Sequence, residues 1–191
     1  MVRNYTDAEL LDRVKSLNGY THISKYLLIG VRSKEDRFNE FDDKFYLYID
    51  GKFIVSSTGT TNPGSNSLLG GWKRLGVKGS AIIKADEIYY GCYQYGLHKG
   101  KMPALRQIQP MKYYRDGDND KQAEEIGEMT IGINYTNFHY NSYNIADTIK
   151  KTFIGGWSEG CQVSNDRSAY YRIIEYCKTA PAVTYALLKE F

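Results

Sequence analysis

The residues of this chain best suited to chemistry lie together in Trp157-Ser158-Glu159-Gly160-Cys161-Gln162-Val163. A cysteine attacks as its thiolate, so a nucleophilic Cys161 needs a base or a positive field beside it. Gly160, just before it, leaves the backbone free to turn N–H groups toward a developing oxyanion, and the Ser158 hydroxyl can hold that turn. The alternative is a small residue buried at a strand end after a tight glycine turn.

Only three histidines could serve such a thiol: His22, His98 and His139. His139 lies in Asn137-Phe138-His139-Tyr140, after an apolar segment that would present it at a strand end, and 22 positions before Cys161. It is the first choice as base. His98, in Gly96-Leu97-His98-Lys99-Gly100-Lys101, is the alternative base or a substrate contact, in basic surroundings that would lower a thiol pKa. His22 sits between the first helix and the first strand and is the poorest choice.

Asp116, Asp118 and Asp120 alternate as calcium-loop ligands do, which makes them a weak alternative metal site. Lys121 stands where such a loop needs glycine, however, and Gly127 where it needs a bidentate glutamate, so a solvated acidic turn is the better reading. Cys92, Cys161 and Cys177 cannot all pair and lack CxxC-type spacing, against a disulfide framework or structural zinc. Cys92 and Cys177 fall within apolar patterns and read as core residues. No cofactor motif is present.

A net charge of +3 over 191 residues, with scattered Lys and Arg, argues against nucleic acid as partner. No run approaches membrane-spanning length. Met1–Asn18 is charged and lacks the apolar stretch of an export signal, which predicts synthesis into a cytoplasm without secretion. The 18 tyrosines suit half-exposed strands or a polymer-binding groove, or follow from nucleotide composition.

The elements that must position the site are short. Thr6-Asp7-Ala8-Glu9 reads as a capping box for a helix over Asp7–Leu17, within a lead-in of residues 1–24. Lys25–Ser33 reads as a strand, and Phe45–Ile49 and Phe53–Ser56 as a hairpin about Asp50-Gly51. Thr58–Gly71 reads as loop. Further strands are expected at Gly79–Lys84, Tyr89–Leu97, Ala104–Tyr114, Met129–Tyr135 and Ala182–Leu188, with a second helix over Asp166–Lys178 ending before Pro181. The pattern predicts a single β-rich α+β domain over 1–191 rather than a doubly wound sheet.

Ser158-x-Gly160-Cys161 following a histidine resembles the catalytic signature of the L,D-transpeptidases, and several stretches together resemble members of that type found in bacteriophages. They are Gly30-Val31-Arg32, Asn39-Glu40-Phe41-Asp42-Asp43, Ser57 to Gly64, Gly96 to Lys101 with Ala104-Leu105, Tyr114-Arg115-Asp116, Gly132-Ile133-Asn134, and Trp157 to Val163. Two positions depart from the family: Tyr135-Thr136 follows the Gly-Ile-Asn stretch where an Asn-x-His is usual, and Glu159 stands where a histidine is common. The resemblance implies an L,D-transpeptidase-like catalytic domain. It also implies Cys161 as nucleophile, His139 as base, and the N–H groups of Gly160 and Cys161 as the oxyanion hole.

The function it implies is cysteine-based acyl transfer on peptidoglycan stem peptides, hydrolytic or cross-linking. Without an export signal, a lysin released to the cell wall fits better than a cross-linker. A wall-binding or virion structural protein that keeps the fold, and a cysteine amidase on another substrate, are the alternatives.

Overall fold

The computed structural model describes residues 1–191. Eleven strands and three helices follow one another as α1 (Asp7–Lys15), β1 (Tyr26–Arg32), β2 (Asp43–Ile49), β3 (Lys52–Thr60), α2 (Ser65–Leu68), β4 (Ser80–Ile83), β5 (Glu87–His98), β6 (Met102–Gln107), β7 (Met111–Asp116), β8 (Thr130–Gly132), β9 (Phe138–Tyr140), β10 (Gln162–Ser164), α3 (Arg167–Cys177) and β11 (Val183–Lys189). Eight strands close a barrel in the order β1-β11-β5-β6-β9-β10-β3-β2, and β4-β7-β8 form a separate small sheet. The β1–β11 and β9–β10 pairs are parallel and the other barrel neighbours antiparallel. The expected β-rich α+β class holds.

The unbroken apolar run of β1 has a physical reason: both of its faces are covered. Leu27, Ile29 and Val31 meet Leu10, Val14 and Leu17 from α1 and the segment after it, while Leu28 points to the interior cluster with Phe45, Leu47, Tyr93, Phe138 and Tyr185. Gly30 completes the inward row because Tyr185 occupies the space a side chain would need, its Oη only 2.3 Å from where a Cβ would stand. Thr6 caps α1 in a reciprocal box with Glu9, as its sequence requires. Asp50 and Gly51, at φ 49° and 72°, make the two-residue turn between β2 and β3. Asp166 caps α3 through Ala169 N–H at 3.0 Å, and the helix adds Tyr170, Ile173, Ile174 and Cys177 to the interior. Cys92 and Cys177 are core residues, each fully buried.

Four expectations need correction. Thr58–Gly71 is not all loop: β3 runs through Thr60, Ser65–Leu68 is helical, and a 3-10 turn follows over Gly71–Leu75. The polar residues here are held by buried partners, since Asp43 accepts from Thr61 N–H at 2.6 Å and from Thr61 Oγ1 at 2.8 Å. Ala104–Tyr114 is two strands, broken near Pro110, which has no N–H to offer a ladder; β6 stays in the barrel and β7 leaves for the small sheet. Met129–Tyr135 pairs only over Thr130–Gly132, because the chain turns at Tyr135, whose φ is +59°. His139 therefore sits in the middle of its own strand, not at the end of that one. The tyrosines divide: Tyr26, Tyr90, Tyr95, Tyr113 and Tyr114 are half-buried on strands, as expected, while Tyr48, Tyr93, Tyr140, Tyr170 and Tyr185 are fully buried in the core.

Arg32 joins the barrel to the small sheet. From the end of β1 it reaches Thr61 Oγ1 at 3.0 Å, the Ile83 carbonyl of β4 at 3.0 Å and Glu125 at 3.0 Å. A buried guanidinium is tolerated because its donors are met on several sides. This clamp helps set how the small sheet stands over the barrel rim.

Candidate active site

Between the barrel rim and the small sheet lies a cavity of about 770 Å³. His98, His139 and Cys161 line it together with Tyr135, Asn137 and Trp157. One ring nitrogen from each histidine and the Cys161 sulfur all lie within 4.8 Å of one another. The residues come from three separate places. His98 ends β5, His139 is the middle of β9, and Cys161 immediately precedes β10, which runs parallel to β9 with Gln162 opposite Phe138. His22 is remote from this group, stacked on Tyr90 at 4.8 Å.

The turn before Cys161 is built as its residue types suggest. Ser158 Oγ donates to the Cys161 carbonyl at 2.8 Å and accepts the Gly160 N–H at 3.2 Å. Gly160 has φ +125°, a conformation reserved for glycine, and packs on Ala81 of β4 so closely that a Cβ would stand 2.5 Å from the Ala81 carbonyl oxygen. The expected pair of oxyanion donors is thus reduced: the Gly160 N–H is committed to Ser158, and the Cys161 N–H is the one left free.

His139 is completely buried, and its Nδ1 lies 2.8 Å from the Tyr140 carbonyl. A carbonyl can only accept, so Nδ1 carries the proton and Nε2 the lone pair. That Nε2 is buried without any partner. The thiol of Cys161 rests on the Tyr135 carbonyl at 3.7 Å. The carbonyl belongs to the one residue of this segment in the left-handed region, which a bulky side chain occupies at a cost of about 1–3 kcal/mol.

Burial and Lys99 set the electrostatics. Desolvation, reinforced by the stacked His98 and by Lys99, lowers His139 to about 3. Desolvation and then Lys99 lower His98 to about 4. Desolvation pushes the Cys161 thiol up, opposed by the Asn137 backbone and Lys99. The resting pair at neutral pH is therefore thiol and imidazole, not thiolate and imidazolium. Iodoacetamide is expected to modify Cys161 and spare the buried Cys92 and Cys177. Its rate constant at Cys161 should climb about tenfold per pH unit through pH 9, following the thiolate fraction. A rate that is level between pH 5 and 8 would instead mark a preformed ion pair.

Sequence reasoning missed Asn137. It stands two residues before His139, so the strand's alternation puts both on one face while Phe138 points into the core. Its Oδ1 accepts the Gln107 N–H at 3.0 Å, which turns its amide Nδ2 toward His98 Nδ1 at 3.1 Å. The two imidazoles stack with centroids 4.1 Å apart and 25° between planes.

Two histidines and a cysteine are zinc-ligand types. Yet the near-parallel rings do not aim their in-plane lone pairs at one point, and the lone pair of His98 Nδ1 is already used by Asn137. The arrangement fits proton transfer better than metal binding.

The acidic turn is arranged differently from its expected form. Asp118, Asp120 and Glu124 bring carboxylates within 4.8 Å of one another on the surface. Asp116 is turned inward instead, accepting the Glu124 N–H at 3.0 Å, because it ends β7 on the buried side of the small sheet.

The cavity walls also carry Lys99, Arg106 and Arg115, against a single acid, Glu159, which is ion-paired with Arg74. Leu75, Leu97, Ile133 and Tyr135 form an exposed apolar rim. Three cations against one paired acid make this mouth net positive, which favours an anionic ligand over a cationic one. No helix is long and apolar enough to cross a membrane. Comparison with protein-family models, with curated proteins and with solved structures finds no match.

Proposed function

We propose that the protein is an L,D-transpeptidase-like cysteine enzyme that acts on peptidoglycan stem peptides, in the manner of a phage lysin. The observation that carries the reading is the orphaned, proton-accepting Nε2 of His139, on a ring that has a nitrogen within 4.8 Å of the Cys161 sulfur. Burying such a lone pair without a partner costs about 1–3 kcal/mol, and a thiol proton arriving during reaction would repay it.

With a neutral pair the first step is concerted. Cys161 Sγ bonds to the carbonyl carbon of the scissile amide as its proton passes to His139 Nε2. The Tyr140 carbonyl steadies the imidazolium through Nδ1–H, as the third member of a triad does. The tetrahedral intermediate then collapses: the C–N bond breaks, His139 returns the proton to the leaving amine, and a thioester remains on Cys161. Water, deprotonated by His139, hydrolyses the thioester and restores the thiol; an amine in place of water would form a new cross-link.

Purified sacculi incubated with the protein should release stem-peptide fragments identifiable by mass spectrometry. Because His139 must be neutral to accept the proton and burial holds it near 3, the rate at low substrate should stay level as pH falls from 8 to 5. Sacculi left intact would exclude the reading, and an acid limb near pH 6.5 would exclude a buried His139 as base. A non-catalytic wall-binding protein would instead retain sacculi without releasing fragments.

A further inference from the structure

We propose that His98 is a second catalytic residue of this site: a neutral imidazole held in the Nε2–H tautomer by Asn137, donating that N–H to the carbonyl oxygen of the bound acyl group as it becomes an oxyanion. The inference rests on the acyl-transfer reading above and adds a role that neither the base nor the nucleophile fills.

The tautomer follows from a chain of hydrogen bonds. The backbone N–H of Gln107 can only donate, so the Asn137 atom facing it at 3.0 Å is the carbonyl Oδ1. The other end of that amide is then NH2, and it lies 3.1 Å from His98 Nδ1. A donor facing Nδ1 requires a lone pair there, which in a neutral ring leaves the proton on Nε2. His139 has the opposite tautomer, because a carbonyl faces its Nδ1. The two stacked rings are therefore an acceptor and a donor, each locked by a neighbour on β9 or just before it.

Three observations assign the donor to the reaction rather than to packing. His98 Nε2 has no protein partner, yet unlike His139 Nε2 it is not sealed from solvent, so it opens into the cavity that His98 lines. His98 lies in the cluster that holds the Cys161 sulfur within 4.8 Å. Of the two N–H groups at the Gly160–Cys161 turn only that of Cys161 is left, since Ser158 occupies the Gly160 N–H, and tetrahedral intermediates are ordinarily held by two donors. Neutrality matters as well. A protonated His98 would repel the imidazolium that forms on His139, stacked 4.1 Å away, whereas a neutral ring leaves that charge unopposed. Protonation at Nδ1 would bring two donors face to face at Asn137, and Lys99 opposes it further.

The test has an arm that does not depend on turnover. Nitrogen-15 spectra of the histidine side chains of the intact protein should show His98 as the Nε2–H tautomer, unchanged from pH 8 to 5. Asn137→Ala should release it to a mixture of tautomers that titrates closer to pH 6.5. An Nδ1–H tautomer in the wild type, or ordinary titration there, would overturn the proposal.

The second arm uses fragment release from sacculi. His98→Phe keeps an aromatic ring against His139 but removes the donor, and kcat should fall about 10²–10³-fold with little change in KM. His98→Gln, whose amide can offer an N–H, should recover much of that loss. Wild-type kcat in His98→Phe, or a loss equal in Phe and Gln with both folded by thermal melt, would overturn the donor role. Absence of turnover in the wild type would instead strike the acyl-transfer reading itself, while the spectra still decide the tautomer.

Discussion

Cys161→Ser is expected to lower fragment release from sacculi by about 10⁴-fold or more while leaving Tm within about 2 °C. The fold should tolerate the change because the side chain is partly exposed at the cavity and its polar contacts, to the Tyr135 carbonyl and the Asn137 backbone, are ones a hydroxyl can also make. The chemistry should not tolerate it. A serine hydroxyl holds its proton far more tightly than a thiol, and His139, lowered to about 3 by burial, is a weak base with little power to remove it. The shorter C–O bond also draws the attacking atom back from His139. His139→Ala should cost a comparable factor, and the double variant little more than either alone, because nucleophile and base act as one unit. Turnover near wild type in Cys161→Ser would end the case for this cysteine.

Gly160→Ala should have the largest effect on stability at the site, about 3 kcal/mol or more, with activity lost as well. Two costs combine. At φ +125° an L side chain is strained, and the new Cβ would stand 2.5 Å from the Ala81 carbonyl oxygen and 2.7 Å from the Ala81 Cβ, in a strand of the small sheet. The backbone of β4 has no rotamer by which to retreat, so either the sheet shifts or the turn opens. An open turn would break the Ser158–Gly160 and Ser158–Cys161 hydrogen bonds and swing the thiol away from His139. Thermal melts should fall by roughly 6–12 °C for a chain of this size. Gly127→Ala is the comparison: its φ of +76° carries backbone strain, but nothing lies within 4 Å of the new Cβ, so about 1 kcal/mol is expected. Equal losses in the two variants would show that contact with Ala81 is unimportant.

These two outcomes concern the part of the site that was readable from residue types alone. Ser158, Gly160 and Cys161 lie within four residues of one another, and their turn is closed by their own hydrogen bonds. The same locality made the capping box at Thr6, the hairpin at Asp50-Gly51 and the cap at Asp166 legible. Where an element depended on distant pairing, sequence reading failed. Ala104–Tyr114 has continuous strand character, yet β6 pairs with β5 and β9 while β7 pairs with β4 and β8. Nothing local says which sheet each half will join, beyond the break at Pro110.

By residue type and position alone His139 and His98 are rival bases, since both follow strand-like segments. The structure brings both to Cys161 and separates them by what faces each Nδ1: a carbonyl for His139, an amide NH2 for His98. Neither partner could be identified beforehand. The Tyr140 carbonyl is a backbone atom with no signature, and Asn137 is polarised by Gln107, 30 residues away. Residue chemistry and contacts a few positions apart are enough to specify the turn before Cys161, the short list of histidines and the β-rich class. Only the closed barrel decided which imidazole accepts a proton and which one donates. Ring tautomers answer to whatever lies about 3 Å away, and here those neighbours are set by strand order and register.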